Sequence, residues 1–292
     1  MGIFVADQLL ATRPEPVPDA AATRLPWHLL PTLPNEVGPA LARKAGLTTH
    51  LSLWPASTSL ARWLEPKQVD LGLAKPGLNL LELGSGTGWL GLTLAANLPN
   101  AKLIVLTERP EAIDSLASRC AQSPEAVRVT VLDRRDFLQT DPDSARVSAQ
   151  LPHGGDFDVV VGADLVWNEE TATSLPAVVH GILFSARQHG KREPLVIYGH
   201  WNRSIKPIHL FLQQCELVGL VAIPFEPDSS MAGQDRKMEP DTVRSGTASE
   251  ATGDTPDDDE DDEVDWTHSI FDDGAAPEQP PIFSVYKLEM RC

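Results

Sequence analysis

The densest group of chemically suggestive residues is the glycine-rich stretch from Glu82 to Gly88. An apolar run precedes it and a helix-like run follows it, so it should form the turn between a strand and a helix. Glycine at such a turn lets the backbone approach a nucleotide-like ligand closely, and open α/β sheets bind ligands at the carboxyl ends of central strands. The pattern therefore predicts a nucleotide-like cofactor site rather than a tight turn alone.

An acidic residue, Glu108, ends the next apolar run, twenty residues after Gly88. A carboxylate in that position can accept hydrogen bonds from both ribose hydroxyls of an adenosine. The same spacing suits a dinucleotide, and the residues from Gly86 to Gly91 match the G-x-G-x-x-G pattern of NAD-binding turns. These residues alone leave open whether the cofactor is NAD or another adenosine-bearing molecule, and a solvated loop acid is the simplest alternative for Glu108.

Other kinds of site find little support in the sequence. The histidines show no metal-ligand spacing, and no nucleophile elbow with a Ser-His-Asp order is visible. His200, with Trp201 and Asn202, follows a predicted strand and could border a substrate entrance. A lone histidine in a loop seldom has a functional role, so we expect none of these residues to carry the chemistry.

Apolar runs predict the strands that must position these residues, at 78–83, 103–107, 127–132, 157–163 and 194–198. Because helix-like segments separate them, the pattern predicts a Rossmann-like, doubly wound α/β fold with a parallel sheet covered on both faces. After Gly219 the pattern changes, since 220–225 and 283–290 both read as strands with no helix between them. We expect these last two strands to pair antiparallel.

Helices are predicted where apolar residues recur at helical spacing. The first spans 55–64, with Pro55 in its first turn, and the second spans 89–98. A third begins at Pro110, and its apolar face should contain Ile113, Leu116, Ala117 and Cys120. A fourth buries five apolar residues between 175 and 183, with Pro176 expected to kink it or delay its start. A fifth buries four residues between 208 and 215.

Most of the negative charge lies in one segment outside this pattern. The chain carries a net charge of −17, and the stretch from Pro227 to Pro280 holds 17 acidic and three basic residues, which leaves about −3 for the rest. This stretch, about 227–280, has no apolar periodicity and the composition of a disordered insertion. Residues 1–50, rich in proline, are expected to form an N-terminal arm or lid, and 51–292 a single domain.

Charge and composition also limit the partners that we expect. Direct nucleic-acid binding by the folded part is not expected, because it needs a concentrated basic surface. The opening residues have the features of neither a signal peptide nor a membrane span, so we expect no membrane association. Three widely spaced cysteines suit a reducing, cytoplasmic location, with the nucleus as a second location. We expect a monomer.

Four motifs decide between the cofactors: LWPASTSLARWL at 53–64, ELGSGTG at 82–88, VVVGADLVW at 159–167 and VYKL at 285–288. Together they resemble the family-16, protein-lysine methyltransferase group, over about 51–219 and the last strand. The resemblance implies a seven-stranded sheet in the order 3-2-1-4-5-7-6, with the last strand antiparallel and S-adenosylmethionine across the carboxyl ends. The cofactor-binding residues that it implies are Trp54, Glu82, Gly84, Gly86, Gly88, Glu108, Asp133 and Ala163.

Each of these residues has an implied role. The glycines would line the methionine and ribose side, with Glu82 supporting their turn, while Glu108 would hold the ribose and Trp54 would close over the cofactor. Asp133 ends the third strand, where an acid or amide commonly meets the adenine amine. The Trp-Gly that the family often has after this strand is replaced here by 134–136, Arg-Arg-Asp.

The family's D-x-x-Y motif corresponds to the stretch from Asp164 to Trp167, so a tryptophan stands where the family has tyrosine. The resemblance implies that these two residues form the catalytic site. A carboxylate and an aromatic face at the mouth of a narrow pocket suit an ammonium-bearing side chain, through charge pairing and cation–π contact. The structural alternatives are that Asp164 caps the following helix and that Trp167 packs in the core.

The activity implied by the resemblance is S-adenosylmethionine-dependent methyl transfer to a protein side chain, with lysine as the first candidate. Three alternatives stay open: a small-molecule N-methyltransferase, an NAD-dependent oxidoreductase, and a non-catalytic binding module that kept the fold. The lack of a clear second substrate domain counts against the oxidoreductase. The replacement of tyrosine by Trp167 keeps the binding module open.

Overall fold

A computed structural model describes residues 27–30, 50, 53–137, 152–202, 205–225 and 282–291. In this part of the chain, seven strands form one sheet in the order β3-β2-β1-β4-β5-β7-β6. The strands are β1 (Asn79–Leu83), β2 (Leu103–Glu108), β3 (Val127–Val131), β4 (Val159–Ala163), β5 (Leu195–Asn202), β6 (Leu220–Pro224) and β7 (Ile282–Met290). Neighbours among β1 to β5 pair parallel, and β7 runs antiparallel to both β5 and β6. The predicted fold class, strand order and antiparallel last strand are confirmed.

Helices cover both faces of the sheet, as the near-continuous apolar strands require. They are α1 (Pro55–Leu64), α2 (Trp89–Asn97), α3 (Ile113–Cys120), α4 (Glu169–Gln188) and α5 (Ile205–Leu217). Consecutive side chains of a strand point to opposite faces. Leu81 and Val160 therefore join a core beneath α4 and α5, whereas Leu80 and Val161 join a second core beneath α1, α2 and α3.

Two helix predictions are wrong in detail. Helix α4 is not delayed by Pro176, which lies inside it, because a capping box formed by Asn168 and Thr171 starts the helix at Glu169. In α3, Leu116 and Cys120 are buried as predicted, but Ala117 is exposed. A short 3-10 turn, Pro110–Ala112, precedes this helix and rotates the buried face away from Ala117.

Strand β5 spans Leu195–Asn202, so it ends four residues later than predicted. The extension is held by β7, whose residues from Val285 back to Ile282 pair with the stretch from Gly199 to Asn202. His200 is therefore a strand residue, and the expectation that it lies in a loop is wrong. This places its side chain on the sheet rather than on a flexible connection.

Part of the predicted N-terminal arm contacts the domain. Trp27 is 7% exposed, and its backbone N–H donates to the Glu65 carboxylate at 3.0 Å. The Trp89 indole donates to the Leu30 carbonyl at 3.0 Å, and Asn97 exchanges hydrogen bonds with the backbone of His28. Apart from His50, the rest of the arm lies outside the described residues, and so does the whole acidic segment 227–280. None of the helices that are described is long and apolar enough to cross a bilayer.

Candidate active site

The three glycines of the turn between β1 and α2 differ in how much room the surrounding structure leaves for a side chain. A Cβ atom added at Gly84 would lie 2.6 Å from Leu165 Cδ2, and one added at Gly88 would lie 2.8 Å from Leu116 Cδ1. At Gly86 the nearest atom would be the backbone oxygen of His50, at 3.6 Å. All three glycines have a positive φ, and a side chain at Gly84 or Gly88 would also press on a leucine. Gly86 is therefore the position of the three where a ligand has most room to approach the backbone.

Glu108, at the end of β2, faces that opening. Its Oε2 accepts the Gly86 N–H at 2.8 Å, and its Oε1 accepts the N–H of Arg109 at 3.0 Å. Two hydrogen bonds from the backbone fix the orientation of this carboxylate beside the turn. Glu108 and Gly86, which are far apart in sequence, are therefore in direct contact. Glu108 is not simply a solvated loop acid.

Glu82 supports the turn from below. It is 3% exposed, and its Oε2 accepts the Gly91 N–H at 3.0 Å, which ties the end of β1 to the first turn of α2. Burial raises the pKa of Glu82 from 4.5 to about 8, and the nearby charge of Glu108 raises it too. The side chain is therefore mostly protonated at neutral pH, and its role is to shape the turn.

Asp133 lies just after β3 and is held by an ion pair. Both of its carboxylate oxygens accept hydrogen bonds from Arg135, which also contacts Glu111. The Arg135 guanidinium keeps the pKa of Asp133 below its usual value. The neighbouring Arg134 turns the other way and donates to the Leu165 carbonyl at 3.1 Å, so the end of β3 is tied to the loop after β4.

Asp164 follows β4 in a left-handed backbone conformation, with a φ of +55° that is uncommon for a residue with a side chain. Its side chain is 3% exposed, and its Oδ1 accepts the Trp201 N–H at 3.4 Å. Asp164 does not cap α4, since Asn168 does so. Strained backbone and a buried carboxylate at a strand end are features of functional positions rather than of ordinary turns.

Both tryptophans among the predicted site residues have large exposed surfaces. Trp167 is 36% exposed, so it is not a core residue. Its backbone N–H donates to the Thr171 hydroxyl, which also takes part in the α4 capping box. Trp54 is 38% exposed and immediately precedes α1. Ala163, the last residue of β4, directly precedes Asp164 at the carboxyl end of the sheet.

Sequence reasoning did not find Tyr198 and placed little weight on His200. Tyr198 is 2% exposed, and its hydroxyl accepts the Val166 N–H at 3.0 Å. The same hydroxyl lies 3.1 Å from His200 Nδ1, and that nitrogen lies 3.5 Å from Asp164 Oδ1. The available signal was the spacing of two polar side chains, two residues apart at the end of a strand, which puts them on one face.

The arrangement as a whole has two halves along the carboxyl edge of the sheet. Backbone N–H groups and Glu108 line the ends of β1 and β2, which suits a ligand with ribose hydroxyls. A buried carboxylate and an exposed indole follow β4, which suits a cation. No group of three or more His, Cys, Asp or Glu side chains within the described ranges could hold a metal ion.

Comparison with known proteins gives a family match over this region. A family model described as lysine methyltransferase matches residues 42–204. Protein N-lysine methyltransferase METTL21A of Danio rerio is 30% identical over 128 residues, which cover 42% of this chain and 50% of that protein. The mouse protein of the same name, from Mus musculus, is 29% identical over 129 residues, with the same coverage of each chain. The chain thus spans about half the length of these curated relatives.

Among solved structures, the chain is similar to a precorrin-6y C5,15-methyltransferase from Geobacter metallireducens. The two are 14% identical, the match covers 55% of this chain and 74% of the other, and the TM-score is 0.37. TYW2 of M. jannaschii, solved in complex with AdoMet, is 15% identical over 59% of this chain and 67% of the other, with a TM-score of 0.34. Likeness at this level says nothing about the substrate of this chain.

Proposed function

The chain belongs to the lysine methyltransferase family, and we propose that it transfers a methyl group from S-adenosylmethionine to a lysine side chain of another protein. The observation that carries the proposal is the meeting of two features at one sheet edge. An open glycine turn beside Glu108 suits the cofactor, and the buried carboxylate of Asp164 suits an amine.

The residues of the first feature fit S-adenosylmethionine. A Cβ at Gly86 would come no closer than 3.6 Å to its nearest neighbour, which leaves room for a ligand, and Glu108 is oriented by two backbone hydrogen bonds so that a ribose could share it. Trp54, with its exposed ring, is proposed to cover the bound cofactor, and Ala163 to line its methionine side. When bound, the cofactor supplies a methyl group on a sulfonium centre. Asp133 is proposed to contact the adenine amine, and both of its oxygens already accept hydrogen bonds from Arg135.

The residues of the second feature receive the amine. Asp164 attracts the lysine ammonium by charge, and the exposed indole of Trp167 can contact the same cation with its face. Because the Asp164 side chain is 3% exposed, an amine that reaches it leaves most of its water behind. Desolvation favours the neutral form of an amine, which is the form that can attack. Alignment of the nitrogen with the transferred carbon then supplies most of the acceleration.

Transfer of label tests the proposal directly. The full chain is incubated with S-adenosylmethionine labelled in its methyl group and with total protein extract, and the products are hydrolysed and examined for methyl-lysine by mass spectrometry. Label in methyl-lysine of the protein fraction is the expected result. Asp164→Asn should abolish most of it, whereas Asp114→Asn, the same chemical change on the exposed surface of α3, should not.

Other results would point elsewhere. Label confined to the low-mass fraction would indicate a small-molecule amine as substrate. Binding of S-adenosylmethionine in calorimetry without any transfer would indicate a non-catalytic binding module. Thermal stabilisation by NAD but not by S-adenosylmethionine would overturn the cofactor assignment.

A further inference from the structure

A buried polar cluster lies beside Asp164 at the carboxyl end of β5. Tyr198 and His200 project on the same face of the strand, and His200 Nδ1 lies between the Tyr198 hydroxyl, at 3.1 Å, and Asp164 Oδ1, at 3.5 Å. The side chains of His200 and Asp164 are 4% and 3% exposed. Buried polar groups at these distances orient one another, because each would be costly to leave without its contacts.

The position of one hydrogen atom decides which neighbour His200 serves. Burial, followed by the charge of Asp164, raises the pKa of Tyr198 well above 10, so the phenol keeps its hydrogen. When Nδ1 carries no hydrogen, the Tyr198 hydroxyl can donate to it; when Nδ1 is protonated, it can donate to the carboxylate of Asp164. A negatively charged Asp164 favours the second state, and a cation paired with Asp164 weakens that preference.

Strand β5 also holds Asp164 through its backbone. The Asp164 N–H donates to the Gly199 carbonyl at 2.8 Å, and the Trp201 N–H donates to Asp164 Oδ1 at 3.4 Å. The contacts of Trp201 and His200 fall on the same oxygen, so β5 orients the carboxylate from one side. Strand β5 therefore fixes the Asp164 backbone through Gly199 and contacts its carboxylate through His200 and Trp201.

We propose that His200 is a positioning residue for Asp164, and that its imidazole holds the carboxylate in the orientation that receives the substrate amine. The role in turnover rests on the proposed function, whereas the coupling of His200 to Asp164 does not. When His200 Nδ1 carries no hydrogen, the Tyr198 hydroxyl is the group that can donate to it. The family motif at 164–167 contains neither residue, and the tertiary contact between β4 and β5 assigns the role.

The coupling is measured first, without substrate. The full chain is labelled with ¹⁵N-histidine, and the His200 signals are identified by their loss in His200→Gln. In Asp164→Asn the Nδ1 signal should move toward that of a nitrogen without hydrogen, because the carboxylate that favours a hydrogen there is gone. Asp114→Asn should leave it unchanged. An unmoved Nδ1 signal in folded Asp164→Asn overturns the proposal whatever the activity.

Turnover is measured second, with total protein extract over a range of concentrations as the acceptor. His200→Ala should lower the apparent kcat/KM at least about tenfold while S-adenosylmethionine affinity stays within about twofold. His200→Gln keeps a donor and an acceptor and should return activity to within about threefold of the original. The matched control is His180→Ala, which removes an imidazole stacked on Phe184 in α4 and should keep full activity.

The outcomes separate the two proposals. Full activity in His200→Ala overturns the positioning role, and so does a loss that only follows the folded fraction or the cofactor affinity, because either would indicate a purely structural residue. Methyl-lysine absent from the products of the unaltered protein overturns the proposed function instead. In that case the ¹⁵N signals still show whether the hydrogen on His200 Nδ1 depends on the Asp164 carboxylate.

Discussion

The two halves of the carboxyl edge are formed by different kinds of chemical group. Around β1 and β2 the site consists of backbone N–H groups and one carboxylate, contributed by a continuous stretch from Glu82 to Glu108. Around β4 and β5 it consists of side chains, those of Asp164 and Trp167 after β4 and that of His200 on β5. The first half is formed by local chain geometry, and the second exists only once the sheet has assembled.

This difference separates binding from turnover. Where the backbone forms the site, a change that adds bulk blocks the ligand, and the loss appears in affinity. Where side chains form it, a change of one functional group alters how charge is presented to the reacting amine, and the loss appears in rate. The following four changes test that separation.

The largest effect is expected at Gly86. A side chain at Gly86 would project to where we place the cofactor, and the φ of +53° disfavours branched residues. Gly86→Val should therefore weaken S-adenosylmethionine binding at least about 100-fold, equivalent to about 2.7 kcal/mol. Gly190→Val is the matched control, because Gly190 also has a positive φ with open space around it but lies after α4. Calorimetric affinities that fall equally in both variants would show that backbone strain, not cofactor contact, is responsible.

Asp164→Asn should have the next largest effect, on rate. The amide keeps the shape but loses the charge that attracts an ammonium ion, so kcat/KM should fall at least about tenfold, equivalent to about 1.4 kcal/mol. S-adenosylmethionine affinity should stay within about twofold, measured by calorimetry on the same preparation. An unchanged kcat/KM for the protein acceptor would mean that the amine site lies at another part of the edge.

Trp167 should matter somewhat less and in a graded manner. Trp167→Ala removes an aromatic face of the kind that contributes about 1 kcal/mol to binding a cation, so the apparent KM for the acceptor should rise about fivefold. Trp167→Tyr restores the residue usual in the family and should stay within about twofold of the original. An equal KM in both variants would mean that the indole serves another purpose, such as covering α4.

Glu82→Gln should have the smallest effect at neutral pH. Because burial raises the pKa of Glu82 in the folded state to about 8, above the 4.5 of an ordinary glutamate, the folded protein holds this proton more tightly than the unfolded chain. The contribution to stability is complete below about pH 4.5 and is lost as pH rises through 8. Affinity at pH 7 should therefore stay within about twofold.

Thermal denaturation from pH 5 to pH 9 checks this reasoning. The original protein should lose stability across that range relative to Glu82→Gln, by an amount on the order of a few kcal/mol at the alkaline end. Glu125→Gln, an exposed glutamate at a loop before β3, serves as control and should follow the original. Parallel curves for the original and Glu82→Gln would show that the carboxyl is ionised in the folded state.

The parts of the fold that were predictable are those with local signals. Apolar runs located β1, β2 and β4, because strands buried on both faces must be apolar throughout, and helical spacing located the helices. Strands such as β3 are partly exposed and carry polar residues, and their remaining apolar positions located them. The end of β5 was missed because polar residues from His200 to Asn202 read as a loop, while the strand that pairs with them lies some eighty residues later. Asn168 and Thr171 signal the start of α4, but Pro176 led to the prediction of a kink or a later start.

By itself, the sequence determined the order of the elements, the glycine turn with its acidic partner, and the motif that carries Asp164. Each is encoded within a short stretch, as residue type, spacing or resemblance. Only the tertiary structure decided that His200 and Tyr198 stand beside Asp164 and that Asn168 rather than Asp164 caps α4. It also decided that, of the three turn glycines, Gly86 is the one where an added Cβ would meet no close contact. These are distances between side chains on different strands and helices, and a linear pattern cannot specify them, because they depend on register, on the direction of each side chain and on how neighbouring elements pack.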